Sequence, residues 1–550
     1  MASKLGDKIP DDEHAVSVSL PKWTDVEGWA RRDDAVISQL QTGYPRFFIH
    51  RKIVQLANEV GRWAGKLPQN HACRRAASAS GKTALLLPSE WMALICQAHL
   101  ERHDKEGKED KDDDIQVVYV GFDGQLSRVT RGAQQEPARS VSHRDLYVVL
   151  YPQRLWPHAK AFWQHTGFGI SSRFAAYWLG NAPFVQESGL EGSETVPVQE
   201  AAQAALTLGQ RLGDLYEAGL ELVFLYPTGM SAMARTALGI CSLQQQRGRG
   251  HRVGVFGFLY VDTLKVLSEV CGFDCVLYGQ ASVDALQADL EAGASIDALY
   301  TEFAGNPLLG SADLGRLHAL SQTHGFVLVV DDTVGTPVNV DVARRCDVVC
   351  SSLTKMFSGA CNVMGGSAVV SPSSRRREAL CQALGAHQQQ TGGPATYFAS
   401  DLVVMERNSR DFAQRVATAS RNAQALSRRL RRHPAVDTVY YPLGSPTQHL
   451  YDCCRRPGAG YGYLLSVCFV SPRAARAFHD GLDMAKGPSL GTNFSLCCAY
   501  TLLAHAAELE WAAEHGVVEH LVRISVGVED LGRLERVVDA ALAAAAEAEC

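Results

Sequence analysis

A lysine at position 355 lies in a stretch whose composition suits cofactor chemistry. Hydroxyl side chains directly precede Lys355 and small residues follow it, in the sequence SSLTKMFSG at 351–359. An apolar run that ends in Asp331 and Asp332 lies upstream. An enzyme that uses pyridoxal 5'-phosphate (PLP) requires an amine for a Schiff base, hydroxyls near the phosphate and a carboxylate beside the pyridine nitrogen. The stretch therefore predicts a PLP-binding lysine at position 355.

Side chains with useful chemistry also follow four runs that the sequence predicts to be buried strands. Gly229 and Met230 open a helix after the first run, where backbone N–H groups and the helix dipole can bind a phosphate. Tyr260 follows the second run and can stack on a planar ring or take part in proton transfer. Asn306 follows the third run and offers an amide to a ring oxygen, and Asp331 follows the fourth. The lysine follows the next strand, as one shared crevice would require.

Each of these residues also has an ordinary structural interpretation. Gly229 could belong to a common strand-to-helix turn, Tyr260 could be a half-buried core residue, and Asn306 could form a plain turn with the proline after it. A metal ion is the competing partner for Asp331 and Asp332, but the sequence nearby has no histidines or further carboxylates to complete such a site. The joint occurrence at successive strand ends is much less expected by chance than any single match.

The elements that must position these residues alternate between strand and helix from about residue 200. Buried strands between helices predict an α/β fold with a mostly parallel central sheet, whose ligands bind at the carboxyl ends of the strands. After about residue 405, a long Arg-rich helix, two strands and an Ala-rich final helix predict a smaller α/β domain. The predicted strands are Leu222–Tyr226, Val253–Phe258, Ala298–Phe303 and Phe326–Val330 in the large domain, and Val436–Tyr441 and Tyr463–Phe469 in the small one.

The composition carries no nucleic-acid or membrane signature. The 550 residues are 46% hydrophobic and 20% charged, with a net charge of -6. A nucleic-acid site needs a clustered basic surface, and a membrane span needs about eighteen consecutive apolar residues. The fifteen cysteines are scattered without metal-binding spacing, which predicts reduced thiols and no metal centre. The polar, acidic start of the chain lacks a signal sequence and predicts a cytoplasmic location.

Two longer motifs resemble those of a known enzyme family. The sequence DDTVGTP at 331–337, followed by SSLTKMFSGACNVMGG at 351–366, resembles the signature of the Cys/Met-metabolism PLP enzymes, the cystathionine γ-synthase group of fold type I. HAVSVSLP at 14–21, TGYPRFFIH at 42–50 and SLGTNFSL at 489–496 are similar to the fungal branch of that group. The resemblance covers nearly the whole chain.

The resemblance implies a role for each candidate residue. Lys355 would form the Schiff base, and Tyr260 would stack on the ring and assist catalysis. Arg523 would bind the substrate α-carboxylate, a task suited to its bidentate fork. Ser489 would help to position Lys355 and the substrate carboxylate. Arg173 would reach the phosphate of a neighbouring subunit, so the protein would be a homo-oligomer, a dimer or tetramer with shared active sites. The remaining cofactor contacts would be Gly229, Met230, Asn306, Asp331, Ser352 and Thr354.

The same resemblance suggests a division of the chain into four regions. Residues 1–150 would be an N-terminal extension with a highly charged insertion near 101–114, and residues 151–205 would be an arm that contacts a neighbouring subunit. Residues 206–405 would form the PLP-binding large domain, and residues 406–550 the small domain. Ser171 replaces a tyrosine that many relatives carry, and Thr492 stands where some relatives have glycine, so substrate specificity is expected near these two positions.

The activity that the resemblance implies is γ-substitution on an O-acetyl- or O-succinyl-homoserine by cysteine, which gives cystathionine in methionine biosynthesis by transsulfuration. Sulfide or a stabilised carbon acid could replace cysteine in a specialised pathway, and the lyase cleavage of cystathionine is a further alternative. These reactions share Lys355, Asp331 and Arg523, so the motifs do not separate them. A non-catalytic scaffold that uses the N-terminal 150 residues as its binding surface is the alternative outside enzymes.

Overall fold

The strands in the described part of the chain form four sheets. The computed structural model describes residues 4–44, 47–65, 82–104, 115–129, 142–184, 195–245 and 251–549. The described strands are β1 (Lys8–Ile9), β2 (Ser17–Val18), β3 (Lys82–Leu87), β4 (Gln116–Val120), β5 (Leu126–Val129), β6 (Leu146–Pro152), β7 (Val223–Tyr226), β8 (Arg252–Phe256), β9 (Asp274–Tyr278), β10 (Ala298–Glu302), β11 (Val327–Asp331), β12 (Val348–Ser351), β13 (Gly366–Val370), β14 (Val436–Tyr440), β15 (Leu464–Phe469), β16 (Ala485–Lys486), β17 (Leu496–Ala499) and β18 (Val522–Ser525).

Helices cover the sheets and connect their strands. The α-helices of the described ranges are Trp23–Ala30, Asp34–Ile37, Arg51–Gly65, Glu90–His103, Trp156–Thr166, Ser172–Asn181, Val198–Tyr216, Gly229–Gln245, Val261–Lys265, Val283–Glu291, Leu314–His324, Arg377–Gln390, Ala399–Asn408, Phe412–Leu430, Gln448–Cys454, Pro472–Gly481, Tyr500–Ala504, Leu509–Glu514 and Leu531–Glu547. None of these has the length and apolar character needed to cross a bilayer. The cysteines within the described ranges are free thiols.

The central sheet has seven strands in the order β7-β13-β12-β11-β10-β8-β9. The pairs β9/β8, β8/β10, β10/β11 and β11/β12 are parallel, whereas β13 runs antiparallel to both of its neighbours. This arrangement confirms the predicted α/β fold with a mostly parallel sheet. Successive side chains of a strand point to opposite faces, so Val327 and Val329 pack into one core while Leu328 and Val330 pack into the other. Helices must therefore cover both faces, which explains the nearly unbroken apolar character of the strands.

The predicted strands occur in the structure with shifts of no more than two residues at their ends. Helix Leu314–His324 illustrates how local sequence sets an element between two strands. The carboxylate of Asp313 accepts a hydrogen bond from the backbone N–H of Arg316 at 3.0 Å, which caps the helix start. Gly325 then adopts a positive φ of 83° and ends the helix directly before β11.

A five-stranded sheet in the order β14-β15-β18-β17-β16 forms the core of the C-terminal region. Helices Phe412–Leu430, Pro472–Gly481 and Leu531–Glu547 pack against it. The same hydrophobic core includes Leu20, Trp23, Trp29 and Leu40 from the start of the chain, so the N-terminal residues are fixed to the C-terminal sheet.

The first 150 residues form two structurally separate parts. Residues 4–44 lie along the C-terminal sheet, whereas β3, β6, β4 and β5 form an antiparallel sheet of their own. Helix Glu90–His103 extends into the start of the predicted charged insertion, and residues 105–114 of that insertion lie outside the described residues.

Candidate active site

A large cavity lies at the carboxyl ends of β8, β10, β11 and β12. It is lined by nine of the residues that the sequence singled out, which are Gly229, Met230, Tyr260, Asn306, Asp331, Ser352, Thr354, Lys355 and Arg523. The central sheet brings the first eight of these residues together because the carboxyl ends of its parallel strands meet at one edge, and Arg523 comes from β18 of the five-stranded sheet. The other two, Ser489 and Arg173, make the contacts with other parts of the chain that are described below.

Lys355 lies in a tight turn after β12, and its side chain is 8% exposed. Its Nζ donates a hydrogen bond to Oη of Tyr44 at 2.6 Å and lies 4.2 Å from the centroid of the same ring. Asp331 faces this amine: burial raises the pKa of the Asp331 carboxyl, and the positive charge of Lys355 offsets part of that rise. A primary amine in a largely water-excluded cavity is suited to nucleophilic and proton-transfer chemistry.

The loop that contains the SLG motif presses against the lysine turn. Gly491 has a positive φ of 66°, and a Cβ there would lie 2.9 Å from Cβ of Lys355 and 2.5 Å from the backbone nitrogen of Met356. Only glycine allows this close approach in this conformation. The C-terminal region thereby fixes the position of the lysine turn.

The two adjacent acids at the end of β11 have different environments. Asp332 is fully buried and accepts hydrogen bonds from the hydroxyl of Tyr216 at 2.9 and 3.1 Å, while burial raises the pKa of Asp332 to about 7. Asp331 lines the cavity, and burial raises the pKa of this carboxyl too. Asp332 thus has a partner inside the protein, whereas Asp331 is available to a cationic ligand.

A third carboxyl, Glu302, stands beside Asp331 on the neighbouring strand. Burial and the nearby charge of Asp331 raise the pKa of Glu302 well above its usual value. Its carboxyl accepts hydrogen bonds from the backbone N–H groups of Tyr260 and Asn306, the latter at 3.1 Å. Glu302 therefore fixes the two segments that follow β8 and β10, a role that sequence analysis did not assign to it.

The helix that begins at Gly229 presents its first turn to the lysine segment. A Cβ at Gly229 would lie 2.7 Å from Cβ of Ser352, so the two segments approach more closely than any other residue would allow. The first N–H groups of a helix have no acceptor within the helix, and the adjacent cavity wall adds the hydroxyl-bearing residues Ser352 and Thr354. This concave surface can bind a phosphate.

Tyr260 belongs to a buried chain of hydrogen bonds. Its hydroxyl donates to Asp262 at 2.9 Å, and the other oxygen of Asp262 lies 2.8 Å from Nδ1 of His165. Gln164 also donates to that oxygen at 3.1 Å. Asp262 is fully buried, so this carboxylate fixes the orientation of the Tyr260 ring at the cavity wall.

Arg523 extends from β18 into the opposite wall of the cavity. Its guanidinium donates to Oδ1 of Asn306 at 3.1 Å and to the carbonyl oxygens of Pro488 and Ser489 at 3.0 and 3.3 Å. The guanidinium also lies 4.8 Å from the centroid of the Tyr500 ring. A planar cation held in this way matches an anionic, carboxylate-like ligand.

Ser489 and Arg173 contact other parts of the chain. The hydroxyl of Ser489 donates to the carbonyl of Val16 at 3.0 Å, so within this chain Ser489 acts on Arg523 through its carbonyl oxygen. Arg173 donates to the carbonyl of Asn362 at 2.7 Å and to Asp401 at 3.1 Å. The predicted contact of Arg173 with a neighbouring subunit stays a prediction.

The two positions where the sequence suggested specificity have structural contacts of their own. The Ser171 hydroxyl accepts a hydrogen bond from the N–H of Phe174 at 3.1 Å and caps helix Ser172–Asn181. The backbone of Thr492 pairs with that of Gly359, and its hydroxyl donates to the carbonyl of Phe494. Both residues therefore stabilise the segments around the cavity.

One wall of the cavity comes from the N-terminal segment, which sequence analysis did not include in the site. Its lining residues before position 54 are His14, Ala15, Val16, Gly43, Tyr44, Phe47, Phe48, His50 and Ile53. Burial lowers the pKa of His14 to about 4 and also lowers that of His50, so both imidazoles are neutral at pH 7. The sequence signals for this wall were the stretches HAVSVSLP at 14–21 and TGYPRFFIH at 42–50, and residues 45 and 46 of the second lie outside the described part of the chain.

The cavity fits PLP in its charge and its shape. Gly229 leaves a surface that any side chain would fill, at a helix start that attracts a phosphate. Burial raises the pKa of Asp331, and a protonated ring nitrogen would provide the positive charge that this carboxyl needs. Among the residues that the structure describes, no group of three or more His, Cys, Asp or Glu side chains is arranged to hold a metal ion.

Two family models match most of the chain. The one described as "Cys/Met metabolism PLP-dependent enzyme" matches residues 202–543, and the one described as "Fungal trans-sulfuration enzyme, N-terminal domain" matches residues 52–171. The first of these matches contains the motifs around Asp331 and Lys355. Residues 4–51, which carry most of the N-terminal wall, lie outside both matches.

Full-length relatives and a solved structure agree with the family match. Cystathionine gamma-synthase of Neurospora crassa is 35% identical and covers 99% of this chain and 99% of its own length. The cystathionine gamma-synthase-like enzyme iboG1 of Amanita muscaria is also 35% identical, over 98% of this chain and 97% of its own. The structure of cystathionine gamma synthase from Xanthomonas oryzae shares the fold, with a TM-score of 0.56 at 24% identity over 66% of this chain and 91% of that one.

Proposed function

Because the chain belongs to the Cys/Met-metabolism family of PLP-dependent enzymes, we propose that it catalyses γ-replacement on an O-acylhomoserine, with cysteine as the nucleophile and cystathionine as the product. The observation that carries the proposal is the presence of Lys355, Asp331 and Arg523 in one cavity. Together they offer an amine, an anion and a cation at the edge of the central sheet. Amino-acid chemistry on PLP requires these three groups.

Arg523 would bind and orient the substrate. Its guanidinium is held by Asn306 and by two backbone carbonyls, so it can accept a carboxylate without first ordering its own side chain. Fixing the α-carboxylate also fixes the rotation of the substrate about its α-carbon. The bond that breaks can then lie perpendicular to the cofactor ring, a positioning effect.

Lys355 would move protons between substrate carbons. PLP, when bound, withdraws electrons and stabilises negative charge at the substrate α-carbon. In the proposed reaction, the Lys355 amine removes the α-proton, and proton removal at the β-carbon then allows the acyloxy group to leave from the γ-carbon. Tyr260, oriented by Asp262, would hold the ring from its open face and assist proton transfer.

Cysteine, sulfide and a stabilised carbon acid are the alternative nucleophiles for this reaction. The cystathionine gamma-synthase of Neurospora crassa and the cystathionine gamma-synthase-like enzyme iboG1 of Amanita muscaria are equally identical to this chain, so sequence identity does not favour one of these two relatives over the other. Lys355 and Asp331, which all these reactions share, lie on the strand-end side of the cavity, and the shared Arg523 lies in the opposite wall. The test must therefore offer several nucleophiles.

The experiment is to incubate the purified, PLP-loaded protein with O-acetyl- or O-succinyl-homoserine and with cysteine, sulfide or a stabilised carbon acid, and to identify products by mass spectrometry. We expect cystathionine to exceed every other product. The variant Lys355→Ala serves as the control and should form none. A carbon-linked product without cystathionine would contradict the choice of cysteine.

We also propose that the protein is a homo-oligomer in which Arg173 of one subunit reaches the cofactor phosphate of another. Arg173 lies in the first turn of the helix that Ser171 caps, and within this chain its guanidinium is held by Asp401 and by the carbonyl of Asn362. Light scattering under assay conditions should give at least a dimer. A monomer that retains PLP and full activity would contradict this arrangement.

A further inference from the structure

The N-terminal segment, residues 4–44, is anchored on both sides of the cavity. The backbone N–H of Val16 donates to the carbonyl of Cys361 at 2.9 Å, directly after the lysine turn. Farther along, Leu20 donates to the carbonyl of Lys486 at 2.9 Å, and the N–H of Trp23 donates to Asp480 at 2.7 Å. Three contacts of this kind, made to distant parts of the chain, fix the path of the segment in front of the cavity.

Hydrogen bonds also fix the end of the segment, where residues 42–44 come back to the cavity. Thr42 is 1% exposed, and its hydroxyl donates to the carbonyl of Ala15 at 2.8 Å. The backbone N–H groups of Phe47 and Phe48 both approach the carbonyl of Tyr44, at 2.8 and 3.2 Å. Hydrogen bonds therefore hold the backbone of Tyr44 on its carbonyl side, and the contact of Thr42 with Ala15 ties the residues before Tyr44 to the front of the segment.

This geometry brings the hydroxyl of Tyr44 to 2.6 Å from Nζ of Lys355, with the ring face 4.2 Å from the same nitrogen. The carboxyl of Asp331 and the thiol of Cys361 also lie close enough to this amine to interact with its charge. Tyr44 makes a hydrogen bond to the amine.

We infer that Tyr44 is a catalytic residue of this enzyme, whose hydroxyl holds the Lys355 amine whenever that amine is free and fixes it where it exchanges protons with the substrate. The phenolic oxygen accepts a hydrogen bond from the amine, and the ring face attracts its positive charge. The part of this inference that concerns substrate protons rests on the proposed function. The contact itself can be tested with PLP alone.

The test compares the apoprotein with its Tyr44→Phe variant in their capture of PLP. The rate of the rise in visible absorbance is measured as a function of pH, because only the neutral amine can attack the cofactor aldehyde. Tyr44 stabilises the protonated amine, so losing its oxygen should move the midpoint of this pH profile down by about one unit. Tyr44→Leu, which also removes the ring face, should move it farther.

The matched control is Tyr278→Phe. Tyr278 ends the edge strand β9, and its hydroxyl donates to Asp289 of helix Val283–Glu291 at 3.0 Å. This variant therefore loses a comparable hydrogen bond away from the cavity. Its pH midpoint should equal that of the unaltered protein. If the pH midpoint of Tyr44→Phe also equals that of the unaltered protein, the inference is overturned. Phenylalanine fills the volume of the tyrosine ring, so an unchanged profile would mean that Tyr44 only packs against the lysine.

Turnover gives the second measurement. With a substrate pair that the enzyme accepts, kcat of Tyr44→Phe should fall about 10-fold or more, as expected for the loss of a hydrogen bond to a charged group. An unchanged kcat would contradict the catalytic role. A shifted PLP-capture profile in a protein that turns over none of the tested homoserine esters would sustain the Tyr44 contact and refute the proposed reaction instead.

Discussion

The cavity has two walls that differ in how the chain builds them. The strand-end wall collects residues that follow β8, β10, β11 and β12, and each comes from a repeating unit of strand, turn and helix. The N-terminal wall comes from one irregular segment, which is held by hydrogen bonds to Cys361, Lys486 and Asp480. The first wall is set by local pattern and the second by contacts between residues hundreds of positions apart.

This difference assigns different tasks to the two walls. The strand-end wall carries the amine of Lys355, the carboxyl of Asp331 and the turn at Gly229 that we propose as the phosphate site, the groups that PLP chemistry needs. The N-terminal wall contributes aromatic and neutral imidazole side chains around the same space, with Tyr44 on the lysine itself. We therefore expect substitutions in the first wall to abolish or strongly reduce chemistry, and substitutions in the second to tune it.

The largest effect is expected at Arg523, the proposed substrate anchor, which β18 contributes to the cavity wall opposite the strand ends. Arg523→Lys keeps the charge but loses the fork of donors, so kcat/KM should fall about 100-fold, the scale of a charge-assisted hydrogen bond. Most of this fall should come from a higher KM, measured by steady-state kinetics, and the visible spectrum of bound PLP should stay unchanged. Arg536→Lys, at an exposed position of helix Leu531–Glu547, is the matched control. A normal kcat/KM in Arg523→Lys would remove Arg523 from the substrate site.

An intermediate effect is expected at the residue that orients Tyr260. Asp262→Asn keeps the shape of the side chain but cannot accept hydrogen bonds from Tyr260, Gln164 and His165 at the same time. We expect kcat to fall about 10-fold with little change in KM. Asp289→Asn, which alters the surface pair with Tyr278, should leave kcat unchanged. Equal kinetics in the two variants would show that the buried pair has no part in positioning Tyr260.

The smallest effect is expected at His14 on the N-terminal wall. Burial lowers the pKa of His14 from 6.5 to about 4 in the folded protein. Between these values the unfolded chain binds a proton that the folded protein excludes, so the stability contributed by His14 is lost as the pH falls. Between pH 6.5 and pH 4.5 the melting temperature of His14→Asn should therefore drop by about 2 °C less than that of the unaltered protein. Identical pH dependence in both would contradict burial of a neutral imidazole.

The sequence predicted the strand-end wall because its signals are local. An apolar run followed by a polar residue identifies a strand end, and Tyr260, Asn306 and Asp331 all occur at such ends. The parallel topology then brings them together, so the α/β fold and the lining of one wall could be derived before any coordinates.

The N-terminal wall could not be derived in the same way. Nothing near Tyr44 in the sequence indicates that it contacts Lys355, 311 residues away. The sequence also placed specificity at Ser171 and Thr492, which cap a helix and pair with the lysine turn in the structure. Departures from a family pattern mark positions that differ, but only tertiary contacts reveal which side chains enter the cavity.

The most direct test of this account is to locate the bound cofactor. The PLP-loaded protein is reduced with borohydride, digested with trypsin and analysed by mass spectrometry. We expect the peptide of residues 346–375, which contains Lys355, to carry the mass of one pyridoxyl phosphate, and no other lysine to be labelled. A label on a different lysine, or none on any, would contradict the assignment of Lys355 and with it the position of the active site.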